Sequence, residues 1–186
     1  MRKTIAVVTV ALFAFVLLSG CSKVDVDAMI EEAISAVSGG DLDGGMELFK
    51  KVLEVEPDHP RAHCGIGTIY REKGDYAKAI ENYKKALELD PDYVICTHLL
   101  GFAYLKTEEY EKAEKFLLKA CDLDPAYAES HFDLGQLYAK VGMPEEAVEE
   151  LEKFISLSKD PARVEDAEQL IEQIKSEENN PNGQEG

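Results

Sequence analysis

Residues 61–91 read RAHCGIGTIYREKGDYAKAIENYKKALELDP, and positions inside this stretch return elsewhere in the chain at a constant spacing. Pro57, Pro91 and Pro125 are 34 residues apart. Gly67, Gly101 and Gly135 keep the same offset, with Ala33 one period earlier. So do Tyr70, Tyr104 and Tyr138, and so do Ile66, Leu100 and Leu134. Ala79, Ala113 and Ala147 form a further column behind Gly45; Gly40, Gly74 and Gly142 form another, with Glu108 in the remaining place. A fixed period of about twenty to fifty residues marks a stack of identical supersecondary units.

The columns predict two antiparallel helices per unit, a first helix A and a second helix B. A glycine inside a helix costs about 1 kcal/mol against alanine, so three in register imply that a neighbouring helix needs the room. Gly74-Asp75 before Tyr76 and Thr107 before Glu108 predict a turn and an N-cap for helix B. Pro144 and Pro161 suit a first helical turn, where the missing N–H costs nothing. Asp90-Pro91 and Asp124-Pro125 predict the end of helix B, because the residue before proline is pushed from helical torsions. Neither helix is long enough to bury its apolar face alone, so stacking must supply the core.

Ile66-Gly67, Tyr70, Gly74-Asp75-Tyr76, Ala79, Tyr83, Ala86 and Pro91 together resemble a tetratricopeptide repeat (TPR) unit. The resemblance covers four units, 26–59, 60–93, 94–127 and 128–159, and is closest in the middle two. The first departs most, with Gly39-Gly40 and Gly44-Gly45 expected to loosen its second helix. The fold class implied is all-α: a right-handed α-solenoid of antiparallel helix pairs, with a C-terminal capping helix over 160–178. Val164, Ala167, Ile171 and Ile174 supply the single apolar stripe that such a cap needs. Residues 179–186 carry no apolar side chain and read as a disordered tail.

The first twenty residues read differently. Met1-Arg2-Lys3 precede Ile5–Leu18, fourteen residues of which only Thr9 is not apolar. A bilayer-spanning helix needs about twenty apolar residues, so this run fits the hydrophobic region of a secretory signal peptide. Leu18-Ser19-Gly20-Cys21 resembles the bacterial lipoprotein signal, which implies a signal peptide over 1–20, a lipidated Cys21 and a short linker over 21–25. Two or three acyl chains hold a protein at a membrane where one does not. Ser22, in a place where Asp is the retention signal, points by the same resemblance to the outer membrane, facing the periplasm, in bacteria with two membranes.

Acidic residues number 37 against 20 basic ones, a formal charge of −17, which loss of Arg2 and Lys3 with the leader deepens by two. Such a surface repels phosphate backbones and anionic headgroups, which excludes nucleic acid as a partner and leaves membrane attachment to the lipid.

The residues offer little chemistry. No phosphate-cradling glycine loop, His-Glu-x-x-His or Cys-x-x-Cys occurs. Glu145-Glu146 and Glu149-Glu150 stand at exposed helical spacings and read as a solvated face. No enzyme activity and no cofactor is expected. Cys64 and His98 fall at one place in adjacent A helices, but neighbours two apart such as Cys96 and His98 do not share a helix face, so a metal site is a distant alternative. His63 and His131 read as packing histidines. Cys96 and Cys121 occupy small buried columns, and Cys64 is expected to be the exposed thiol.

In tetratricopeptide arrays the A helices line a concave surface that takes a peptide. Carried over position by position, that face comprises Ile30, Ile34 and Val37, then Cys64, Thr68 and Arg71. It continues with His98, Phe102, Leu105 and Lys106, and ends with Phe132, Gln136, Ala139 and Lys140. The lysines and asparagines of a carboxylate clamp are missing, since Ile30, Ile34, Cys64 and Thr68 stand in their places. The expectation is apolar anchoring at Phe102 and Phe132 with Arg71, Lys106 and Lys140 at the rim. Three alternatives compete for the surface: the cap helix, the N-terminal segment or a second copy folding over it. The function expected by resemblance is a membrane-tethered adaptor for other envelope proteins, with a self-associating structural lipoprotein as the alternative. Oligomeric state is open.

Overall fold

The computed structural model describes residues 25–179. Among them are nine helices and no strand: α1 (Val26–Ser38), α2 (Leu42–Val55), α3 (Pro60–Glu72), α4 (Tyr76–Leu89), α5 (Val94–Lys106), α6 (Tyr110–Leu123), α7 (Ala128–Val141), α8 (Pro144–Leu157) and α9 (Pro161–Asn179). The leader, Cys21 and residues 180–186 lie outside the described residues. No helix among those described is long and apolar enough to cross a membrane.

Helices pair as α1–α2, α3–α4, α5–α6 and α7–α8, and each B helix then packs on the next A helix. The glycine column explains how closely the pairs approach. A Cβ on Gly67 would sit 2.6 Å from the Tyr83 ring, one on Gly101 2.8 Å from Leu117, and one on Gly135 2.6 Å from Leu151. Each of those partners is fully buried in the facing B helix. Loss of helix propensity is thereby exchanged for interlocked side chains.

Turns between A and B helices use a left-handed residue. Gly40, Gly74 and Gly142 take φ of 87°, 77° and 78°, and Glu108 takes 60°. Asp41 and Asp75 cap the following helices, their carboxylates accepting from the Gly44 and Lys78 amides at 2.9 and 3.1 Å. Thr107 does not cap α6. It closes α5 instead, its hydroxyl donating to the Ala103 and Tyr104 carbonyls, and Glu109 stands at the N-cap with its side chain on no backbone amide. The first unit is also tighter than its glycines suggest. α2 is a continuous helix of 14 residues, because Gly44 lies beneath the Asp41 cap and Gly45 against Val37.

α9 covers the last B helix, burying Ala167, Ile171 and Ile174 and leaving Glu165, Asp166, Glu168 and Glu172 outward. It runs through Ser176 to Asn179, beyond the last apolar residue of its stripe, so Asn179 belongs to the helix rather than the tail.

Candidate functional site: the concave groove

Successive A helices touch one another, α1 with α3, α3 with α5 and α5 with α7. They therefore line the inner side of the curve, and the B helices line the outer.

Ten of the fourteen groove positions fall in three places. At the N-terminal end a cavity of about 260 Å³ is lined by Ile34, Val37, Cys64 and Thr68, together with Arg61, Tyr93, Ile95 and Leu99, and is floored by Phe49 under Gly65. Ile34 and Ile95 are 39% and 47% exposed, large aliphatic groups left facing water on either side of it. In the middle, Arg71 and Lys106 both lie over the Phe102 ring, at 5.7 and 4.9 Å from its centroid. At the C-terminal end Gln136, Ala139 and Lys140 line a second cavity of about 590 Å³, whose other wall is Leu170, Gln173, Ile174 and Glu177 of α9.

Several expected contact residues are core. Ile30 is fully buried against the cluster holding Phe49, Val52 and Ile69, and Leu105 is also buried. Phe132 is buried too: the Arg163 guanidinium of α9 stacks on it at 4.4 Å, and Phe154 packs against it at 5.0 Å. The cap helix thus occupies the position expected of a guest at the fourth unit. Cys64 is buried rather than exposed, because the A helices of units one to three close around it. Thr68 donates its hydroxyl to the Cys64 carbonyl at 3.1 Å and receives the Tyr83 hydroxyl at 3.4 Å.

His98 forms the floor between the second and fourth units. Its Nε2–H donates to the Asp133 carboxylate at 2.7 Å, both groups are buried, and the Tyr127 ring meets the imidazole edge-on at 5.2 Å. Burial pushes the Tyr127 phenol up to about 12. The Nδ1 atom of His98 is buried without a hydrogen-bond partner, so no nucleophile is joined to the pair as acyl-transfer chemistry requires. Two of the thiols are equally unsuited to reaction. Hydrogen bonding to Cys64, then burial, pushes Cys96 far up; burial pushes Cys121 up to about 11. No group of three or more His, Cys, Asp or Glu able to hold a metal occurs among the described residues.

Glu150 departs from the solvated face expected of it. Besides Asp133, Glu150 turns inward to accept from His131 Nδ1 at 2.6 Å. The other nitrogen of His131 reaches the Pro125 carbonyl at 3.3 Å, as His63 reaches Pro57 at 3.0 Å one period-pair earlier. These histidines pin the loops before α3 and α7. Ile95, the most exposed groove aliphatic, escaped the sequence reading although the 34-residue offset links it to Arg61 and Glu129.

Family models described as "TPR repeat" match residues 67–108 and 103–142, and models described as "Tetratricopeptide repeat" match 48–81 and 128–161. The chain belongs to the tetratricopeptide-repeat family. No curated protein matches this repeat protein. Among solved structures it is similar to PilF of Pseudomonas aeruginosa, at 22% identity over 83% of this chain and 69% of that one, with a TM-score of 0.75. It is also similar to YrrB, described as a TPR protein with an unusual peptide-binding site, at 24% identity over 87% and 81% of the two chains and a TM-score of 0.67. MamA is similar at 25% identity over 80% of this chain and 95% of that one, with a TM-score of 0.61. These likenesses place the fold among tetratricopeptide solenoids.

Proposed function

We propose that this repeat protein is a lipid-anchored adaptor of the bacterial cell envelope, holding a segment of another envelope protein in its concave groove. The observation that carries the binding half is the N-terminal cavity: an apolar hollow flanked by water-facing Ile34 and Ile95 in a strongly acidic chain. Solvent-facing aliphatics gathered around a concavity are what a partner surface requires. YrrB, of the same fold, is described by its peptide-binding site. The anchoring half rests on the leader and Cys21, and the chain's charge leaves attachment to the lipid. Assembly of pilus, secretion, outer-membrane or cell-wall machinery is the setting this reading implies.

A photo-crosslinking residue introduced at Thr68 tests the first half in living cells. It should yield a discrete adduct that the same group at exposed Glu88, on the outer layer, does not. Equal adducts, or none at Thr68, would reject the groove. Cys21→Ser tests the second half and should move the protein from the membrane fraction to the soluble one.

A further inference from the structure

The geometry points to a dithiol site: Cys64 and Cys96 form an intramolecular disulfide that ties the second unit to the third when the chain meets a disulfide oxidant. Cys64 stands on α3 and Cys96 on α5, A helices that touch directly. Both side chains are buried in one cluster with Tyr83 and Leu99. The register of the array turns them toward each other. At the next junction His98 of α5 reaches Asp133 of α7 at 2.7 Å. One 34-residue period earlier those two places hold Cys64 and Leu99, which line the N-terminal cavity together. Cys96 lies one turn before Leu99, on the same face of α5. Its thiol points inward, donating to the Tyr83 carbonyl at 3.6 Å, and is in hydrogen-bonding contact with Cys64.

The chemistry is thiol–disulfide exchange. Cys64 lies in the cavity wall, so its sulfur is the one an outside disulfide meets. As a thiolate it attacks one sulfur of the oxidant, the oxidant's S–S bond breaks, and the departing thiolate takes up the proton that Cys64 lost. Cys96 then attacks the Cys64 sulfur and expels the oxidant's other thiolate, to which its own proton passes. One S–S bond is made in the chain and one is lost from the oxidant, which leaves as two thiols. Cys96 holds its proton firmly, because the contact with Cys64 and then burial favour the thiol, and this unfits it for attack on a reagent in solution. It has only to meet a sulfur already fixed beside it, where proximity replaces nucleophile strength. Cys121 sits on α6 with His131 Nδ1 as its neighbour at 3.8 Å, away from this contact.

The bond closes a loop of 32 residues that contains the whole of α4. Closing such a loop restricts the unfolded chain more than the folded one, and so stabilises the fold. It also fixes the cavity. Cys64 and Thr68 form one wall and Ile95 and Leu99 the other, so a covalent link from α3 to α5 sets the distance between them. Units two and three then move as one body, and reduction frees them.

Refolding of the full chain tests the assignment. The protein is reduced and unfolded in urea, then returned to native buffer with detergent in a mixture of reduced and oxidised glutathione, alkylated and cut with trypsin. Mass spectrometry should find residues 62–71 joined to residues 86–106, the peptides that hold Cys64 and Cys96. That pair should exceed any linked pair containing Cys21 or Cys121 by about tenfold or more. The oxidised protein should melt about 5 °C or more above the same protein held in reductant. Cys96→Ala should abolish that difference while leaving the helix content by circular dichroism unchanged. Free alkylated thiols at both positions, glutathione left on Cys64, chain-to-chain links through Cys64, or Cys121 pairs in equal yield would each overturn the inference. So would an oxidised form that melts no higher than the reduced one. The adaptor reading is decided by the Thr68 crosslink and the Cys21 fractionation, so a missing disulfide leaves it untouched.

Discussion

Glu108 holds the one non-glycine left-handed turn among the described residues, with φ of 60° where Gly40, Gly74 and Gly142 occupy the equivalent place. An L-residue there suffers a Cβ clash worth about 1–2 kcal/mol, part of which glycine returns as extra freedom in the unfolded chain. Glu108→Gly should therefore raise the unfolding free energy by about 0.5–1 kcal/mol, read from urea denaturation. An unchanged or lowered midpoint would show that the turn carries no strain. The broken column was visible in the sequence, but only the backbone angle shows that glutamate was forced into the glycine conformation rather than the turn being rebuilt. His98 and Asp133 teach the opposite lesson. They are 35 residues apart, in different units, and no local pattern marks a histidine and an aspartate that meet inside a groove floor.

At the scale of the element, helix starts follow two recipes. α2 and α4 begin with an aspartate whose carboxylate takes an amide of the first turn, and α3 and α8 begin with Pro60 and Pro144. α5, α6 and α7 have neither, and α6 starts at Glu109, whose side chain caps no backbone amide. Replacing a capping aspartate with alanine costs about 1 kcal/mol. Asp41→Ala should lower stability by about that much, with its effect centred on α2, so that amide exchange quickens in the Gly44–Gly45 turn before the rest of the chain. Uniform acceleration across all four units would argue that the array unfolds as one body. Helix boundaries were legible because aspartate, proline and glycine act over three or four residues. The reading of Thr107 failed because a threonine hydroxyl serves a helix end as readily as a start, and the choice depends on which orphan groups lie within reach.

For the whole molecule the decisive element is α9. It buries Ala167, Ile171 and Ile174 and seats Arg163 over Phe132 and Phe154. Removing residues 160–186 strips that cover from Phe132 and Phe154, and each large apolar side chain no longer buried is worth about 1.5–3 kcal/mol. The truncated protein should lose about 3–5 kcal/mol in urea unfolding and self-associate in sedimentation, as a solenoid with an apolar end does. A truncated chain as stable and as monomeric as its parent would mean that α9 is an appendage.

The 34-residue period, the helix pairs and the terminal cap were readable from the chain alone, because each is set by local sterics and by the side-chain spacing of single helices. Which groove positions meet solvent was not. Ile30, Leu105 and Phe132 share a helical face with Ile34, Phe102 and Gln136, and only the approach of neighbouring helices divides core from surface. Burial is a property of the assembled stack, whose curvature and closing helix belong to no single unit.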